Sequence, residues 1–302
     1  MKMKLLRNKS AGDIVLDIIV YVIILFVFAI TLYPFYYSIV MSFNQGSDAV
    51  RGGIYFWPRK FTLENYKAVM SIDYIYSAMV VTVVRTLIGT ICSLSFTGLF
   101  AYSISHKNLM FKKFYIVVML ITLYFNGGLV PYYMTLKQLG LMNHFLVYII
   151  PNLLGVFNAV IMISFFREIP DSLEEAARID GANDLTIFFR IIFPISTPLF
   201  ATMALYMGVW HWNTWTDAAF FVTKKDLKTL SYVLINLINQ TEAAARLTTT
   251  AGVGSMNVNE SSYTAETLRP AAMMVVVIPI ICVYPFLQKY FMKGIMIGSL
   301  KG

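Results

Sequence analysis

The residues best placed to do work in this chain form a handle rather than a catalytic centre. Glu174-Glu175-Ala176-Ala177-Arg178-Ile179-Asp180-Gly181, followed after nine residues by Ile191-Ile192-Phe193-Pro194, is a charged island between two long apolar runs. Asp171 or Ser172 can cap the start of a helix here. Glu174 and Glu175 fall in its first turns, where the dipole favours negative charge, and Glu174 with Arg178 is a favourable i, i+4 pair. Leu173, Ala176, Ala177 and Asp180 share one face, and the small alanine pair lets another surface come close. Gly181 ends the helix in a turn, after which Leu185, Phe188 and Phe189 lead back to apolar sequence. A peg of this kind reads either as a solvated loop or as something for an outside partner to grip.

Other chemistry is sparse. Trp210, His211, Trp212, Asn213 and Trp215 gather rings and one amide, the lining that small-molecule sites use. An aromatic belt at the membrane interface accounts for the tryptophans equally well. Arg85 lies about ten residues into an apolar run, where a buried cation costs about 2.5–3.5 kcal/mol on insertion scales. It either snorkels outward, makes a structural hydrogen bond, or lines a cavity or gate. Asn126-Gly127-Gly128 and Pro131 break another apolar run, and such a break is tolerated only against protein or a watery cavity. Arg85, Asn126, Trp212, Asn213 and Trp215 are therefore the pathway candidates. His144 and His211 lack metal-ligand spacing and read as structural. No His-Glu-x-x-His or facing acids mark a membrane enzyme, and no Gly-x-x-x-x-Gly-Lys-Ser/Thr loop marks an ATPase. A secondary transporter would call for an intramembrane carboxylate site, but Asp217 lies near the end of a run.

These features must be positioned by membrane helices. The chain of 302 residues is 58% hydrophobic and 13% charged, with a mean hydropathy of +0.67, far from a soluble average. Runs free of Asp, Glu, Lys and Arg extend from Ile18 to Ser47, Thr86 to His106, Phe114 to Leu136, Gln138 to Phe166, Ile191 to Thr216 and Pro270 to Gln288. Each reaches the roughly 20 residues that cross a bilayer core. The expectation is an all-α membrane protein of one domain covering 1–302, with six spans near 14–43, 76–105, 114–136, 145–166, 195–222 and 271–290. A surface helix near 171–190 and outer loops over 44–75 and 223–270 complete it. Thr62 to Tyr66 looks like a capped interfacial helix. Gly89 and Gly98 permit close helix packing, and Pro34 is expected to kink the first span.

Charge sets the orientation. Lys2, Lys4, Arg7, Lys9, Lys107, Lys112, Lys113, Arg167, Arg178, Arg190, Lys289, Lys293 and Lys301 fall on one face of a six-span arrangement, the cytoplasmic face by the positive-inside rule. The opposite face holds Arg51, Arg59, Lys60, Lys67, Lys137, Lys224, Lys225, Lys228, Arg246 and Arg269, a count not much smaller. Long loops cross largely regardless of charge, however, so both termini are expected in the cytoplasm. The net charge of +8 borders apolar runs and suits anionic lipid headgroups, not nucleic acid. The first apolar run is too long for a cleaved signal and has no Ala-x-Ala site. Cys92 and Cys282 read as apolar packing residues, with no disulfide or metal framework.

Glu175-Ala176-Ala177, Gly181, Ile191 and Pro194, with Phe193 where leucine is usual, resemble the cytoplasmic loop of the permeases of binding-protein-dependent ATP-binding-cassette importers. Asn65-Tyr66, Asn126-Gly127-Gly128, Ile169-Pro170, Trp212-Asn213-x-Trp215 and Tyr284 to Phe291 extend the resemblance over nearly the whole chain. They are similar to the carbohydrate-uptake branch, in particular the second, shorter permease of maltose-type importers and a subgroup for complex oligosaccharides. The resemblance implies a type I importer permease fold in which Glu174, Glu175, Ala176, Ala177, Asp180, Gly181, Ile191 and Pro194 form a coupling helix seated in an ATPase groove. It implies that the tail Gly298-Ser299-Leu300-Lys301-Gly302 contacts the ATPase. The partners implied are a homologous permease, two ATPase subunits that hold ATP and Mg, and an extracellular sugar-binding protein, a lipoprotein or a soluble one. The chain itself carries no cofactor and is no enzyme.

Overall fold

The computed structural model describes residues 11–250 and 263–299. These residues are helical throughout, apart from loops and a single antiparallel bridge between Asn44 and Phe61. They divide into two compact units, Met1–Ser71 with Ile238–Val275 and Ile72–Leu237 with Val276–Gly302, each with buried residues of its own.

The first unit opens with helix α1 (Ala11–Ser42), with Pro34 inside it. Apolar on every side, α1 buries none of its most hydrophobic window within the chain, as expected of a helix whose neighbour is lipid or another subunit. The segment after it is ordered by one buried amide. Asn65, at the start of helix α2 (Glu64–Met70), donates from Nδ2 to the carbonyls of Ser42 and Asn44, both at 2.8 Å. Its Oδ1 accepts from Thr267 Oγ1 at 2.7 Å. The sequence reading of a capped helix from Thr62 holds in part: Thr62 Oγ1 accepts from the Glu64 backbone N–H at 3.2 Å. Val40, Met41, Ala49 and Ile54 form this unit's small apolar cluster.

The second unit is built on helix α3 (Ile75–Ser105). Helices α4 (Lys112–Tyr124) and α5 (Leu129–Gln138) follow, with a bend of 120° between them at Asn126-Gly127-Gly128. The fourth expected span, 145–166, is not a continuous helix. Tight turns at Phe145–Tyr148 and Ile150–Asn152 precede α6 (Val156–Phe166), with a 43° bend. Pro151 and Gly155 account for the break, and α3 satisfies it: Ser93 Oγ donates to the Asn152 carbonyl at 2.7 Å and Thr97 Oγ1 to that of Leu153 at 3.1 Å, while Thr97 accepts from the Gly155 N–H at 3.2 Å. Backbone freed at membrane depth is thus met by neighbouring hydroxyls.

Helices α7 (Asp171–Ile179) and α8 (Asp184–Ile187) form an elbow. It continues through a π turn at Phe188–Ile192 and a short helical piece at Phe193–Ile195 into α9 (Thr197–Asn213). The 86° bend at Ser196 falls at the start of the fifth expected span, 195–222, and turns the elbow into it; inside the span the helix breaks at Thr214, before α10 (Thr216–Phe220). The expected outer loop over 223–270 contains α11 (Leu230–Thr250), and the last helix, α12 (Ala265–Ser299), is longer than the expected 271–290. Among the described residues three helices are long and apolar enough to cross a membrane, and three bent pairs meet the same test. Six spans result when each bent pair counts as one.

Glycine sets how closely α9 lies on α3. A Cβ at Gly89 would fall 2.6 Å from the His211 ring, and one at Gly98 2.9 Å from the Phe200 ring.

Candidate functional site

The elbow is fixed by its turn. Gly181 has φ +82°; its N–H donates to the Arg178 carbonyl at 3.0 Å, and the Ala182 N–H donates to that of Ala177 at 2.9 Å. This is the paired pattern of a glycine-ended helix, with Ala177 and Ala182 packed together beneath it. Asn183 then caps α8, its Oδ1 accepting from the Thr186 N–H at 2.8 Å.

Three sequence expectations are corrected here. Neither Asp171 nor Ser172 caps α7; Pro170 occupies the cap position and no side chain makes the bond. Arg178 pairs with Asp184 at 2.7 Å instead of Glu174, because the turn brings Asp184 back beside it. Ala176 and Ala177 do not offer one joint face: Ala176 is exposed and Ala177 is buried in the elbow's own core, as the 100° step between successive helical residues requires.

Glu174 turns instead toward the end of α3, where its Oε2 lies 3.0 Å from His106 Nε2, an ion-pair distance without hydrogen-bond alignment. Lys107 bonds Asp171, and this contact holds the Lys107 ammonium above its ordinary pKa. These groups, with Lys112, Arg167, Glu175 and Arg178, line a polar cavity of about 530 Å³. Below it, Ala177, Ile187, Phe188 and Ile192 of the elbow share one apolar cluster with Tyr102, Met162, Phe166 and Phe200 of the longer helices. Outward, Ile179 is 85% exposed and Leu185 60%. Ile191 is partly covered and Pro194 exposed. The elbow is packed rigidly on one side and presents apolar tips on the other.

A second cavity, about 800 Å³, lies along α6 and α9, lined by Phe157, Asn158, Tyr206, Trp210, Asn213 and Trp215 with Thr202, Thr214 and Thr216. A smaller one of about 290 Å³ shares Phe157, Asn158, Tyr206 and Trp210 with it. In the larger cavity Ile161, Met203, Leu205 and Val209 complete a mostly apolar lining that carries a few amides and hydroxyls and no charged residue, which suits a polyhydroxylated solute whose ring faces stack and whose hydroxyls find a few partners. Of the five pathway candidates the structure brings Asn213 and Trp215 together here. Trp212 faces a separate apolar cavity near Pro279 and donates from Nε1 to the Val276 carbonyl at 3.1 Å. Asn126 is exposed, its Oδ1 accepting from the Gly128 N–H at 2.9 Å. Arg85 does not snorkel: it is 0% exposed and donates to Asp217 at 2.5 Å and to the Thr214 carbonyl at 2.7 Å. Phe157, Asn158 and Tyr206 were missed, because only their spacing across two helices joins them to the tryptophans. Of the tail, Gly298 and Ser299 end α12, while Leu300, Lys301 and Gly302 lie outside the described residues.

No family model matches the chain. It is 34% identical over 286 residues, 95% of its length and 98% of the relative's, to the polygalacturonan/rhamnogalacturonan transport system permease protein YtcP of Bacillus subtilis (strain 168). It is also 34% identical, over 91% of its length and 90% of the relative's, to protein LplC of the same organism. Among solved structures it matches a chain of a bacterial ABC transporter involved in the import of the acidic polysaccharide alginate, with TM-score 0.79 and 27% identity over 94% of this chain and 99% of that one. The chain belongs to the family of ATP-binding-cassette importer permeases, in its carbohydrate-transport branch.

Proposed function

We propose that this chain is one half of the permease of a binding-protein-dependent importer for an oligosaccharide, with all six spans in one membrane domain and both termini in the cytoplasm. The observation that carries this reading is the elbow of α7 and α8, fused to the spans through Ala177, Ile187, Phe188 and Ile192 yet exposing Ile179 and Leu185. A partner that grips the tips moves the helices, because a close-packed core transmits displacement. In this reading Glu174, Glu175, Ala176, Asp180 and Gly181 seat the elbow in an ATPase subunit that holds ATP and Mg. Ile191 and Pro194 carry its motion into α9, and residues 298–302 reach the same subunit.

A second, homologous permease completes the pathway, and an extracellular sugar-binding protein delivers the solute. YtcP is named for polygalacturonan and rhamnogalacturonan and the solved transporter for alginate, so the cargo proposed is an oligosaccharide cut from such a polymer. Phe157, Trp210 and Trp215 stack on its rings, and Asn158 and Asn213 bond its hydroxyls.

The test is uptake of labelled oligosaccharides into proteoliposomes holding both permeases, the ATPases and the binding protein. Uptake is expected to require ATP and the ATPase subunits. Asn213→Ala and Trp215→Ala are each expected to raise the half-saturating sugar concentration about tenfold, the loss of ~1.4 kcal/mol. Uptake by the permeases alone would overturn the proposal.

A further inference from the structure

We propose that Arg85 is a positioning residue for the solute path: its buried guanidinium clamps the break between α9 and α10 and so fixes the segment that presents Asn213 and Trp215. This inference rests on the reading of the α6 and α9 cavity as the path of the sugar.

The helix leaves its regular course at Thr214, whose ψ of 118° is extended. Its carbonyl therefore has no partner further along the helix, and a buried backbone oxygen without one is costly. Arg85 Nη1 supplies that partner at 2.7 Å, while Nη2 reaches 2.5 Å to Asp217 Oδ2, in the first turn of α10. One planar group thus bonds both sides of the break. The Tyr148 ring lies 4.5 Å from the guanidinium carbon and covers its face, and the Trp210 ring centroid is 6.0 Å away. Tyr148 is itself tied down, donating from its hydroxyl to the Leu227 carbonyl at 2.7 Å. The clamp therefore joins α3, the tight turns before α6, and the α9 and α10 junction.

The geometry of a fork is needed for this. Lysine offers a compact ammonium that bonds one side or the other but does not match the planar pairing, so Arg85→Lys is not conservative here. Asp217 next to an empty position would be a buried charge without a counterion, so single variants risk misfolding. Arg85→Met/Asp217→Leu removes both charges together, the change that buried pairs tolerate best.

The experiment measures hydrogen exchange and sugar-stimulated ATP hydrolysis in the assembled transporter in nanodiscs. The amides of Thr214, Ala219 and Phe221, bonded to the carbonyls of Trp210, Trp215 and Asp217 at 3.0 Å, report the junction. In Arg85→Lys and in the double variant these amides are expected to exchange at least tenfold faster, with residues 197–209 unchanged. Half-saturation by sugar is expected to rise about tenfold, while hydrolysis without sugar and assembly stay within about twofold. Unchanged exchange at 214–221 in the double variant would overturn the clamp, whatever the sugar dependence. Faster exchange with unchanged half-saturation would also overturn it as a positioning device. The pathway reading fails separately, when Asn213→Ala and Trp215→Ala leave half-saturation unaltered.

Discussion

At the scale of single residues, Gly181 carries a backbone conformation, and Asn65 a set of hydrogen bonds, that few other residues supply. Gly181 holds φ +82° at the end of α7, and a residue with a Cβ in that left-handed region costs about 1–2 kcal/mol. Gly181→Val is therefore expected to leave membrane insertion intact and to abolish sugar-stimulated ATP hydrolysis, by displacing Ala182 and Asn183 from the turn. Hydrolysis assays on the reconstituted complex check it, and normal stimulation would contradict the role given to the elbow. Asn65 is expected to matter for stability only. Asn65→Leu leaves the carbonyls of Ser42 and Asn44 without the Asn65 donor and the Thr267 hydroxyl with only its bonds to Thr264, a loss of about 1–3 kcal/mol for a buried group. A lowered unfolding midpoint in detergent, with unchanged sugar half-saturation in whatever protein assembles, is the expected result.

At the scale of elements, the breaks in the helices define the site as much as the helices do. The fourth span breaks where Ser93 and Thr97 meet its freed backbone, and the fifth where Arg85 does. The contact of α3 with α9 depends on Gly89, where a Cβ would press on the His211 ring at 2.6 Å, whereas one at Gly208 would meet Thr90 Oγ1 at 3.4 Å, an ordinary contact. Gly89→Ala is thus expected to destabilise the protein markedly and Gly208→Ala slightly; equal shifts in melting temperature would contradict this packing. The apolar runs were legible in the sequence because the absence of charge over about 20 residues has one main physical cause. The breaks at Pro151 to Gly155 and at Thr214 were not, since runs without charge look alike whether straight or bent. Nor was the partner of Arg85, which lies 132 residues further on. Helix α11 was hidden by its Asn, Gln and Thr content, which reads as a loop until Leu230, Val233 and Leu234 are seen buried on one side. The Gly181 turn was legible because a glycine just past a helix end has a physical cause, whereas the Glu175 to Pro194 spacing was legible only through its resemblance to importer permeases.

At the scale of the whole molecule, the chain is a set of membrane helices with a helical elbow that leaves apolar tips uncovered. The cavity along α6 and α9 and the elbow belong to the same unit, so force applied to Ile179 and Leu185 has a packed route to α9 through Phe188 and Phe200, whose rings lie 6.1 Å apart. In the function proposed, a separate ATPase grips those tips. It is tested most directly by placing a photoreactive amino acid at position 179 in the assembled transporter and identifying the adduct. A second such residue at position 57, where Trp57 is 79% exposed in the 44–75 loop, serves as the control. Position 179 is expected to link to the ATPase subunit, with a yield that changes when ATP is added, and position 57 to link to the sugar-binding protein or to nothing. An adduct between position 57 and the ATPase, with position 179 joined only to the binding protein, would contradict it.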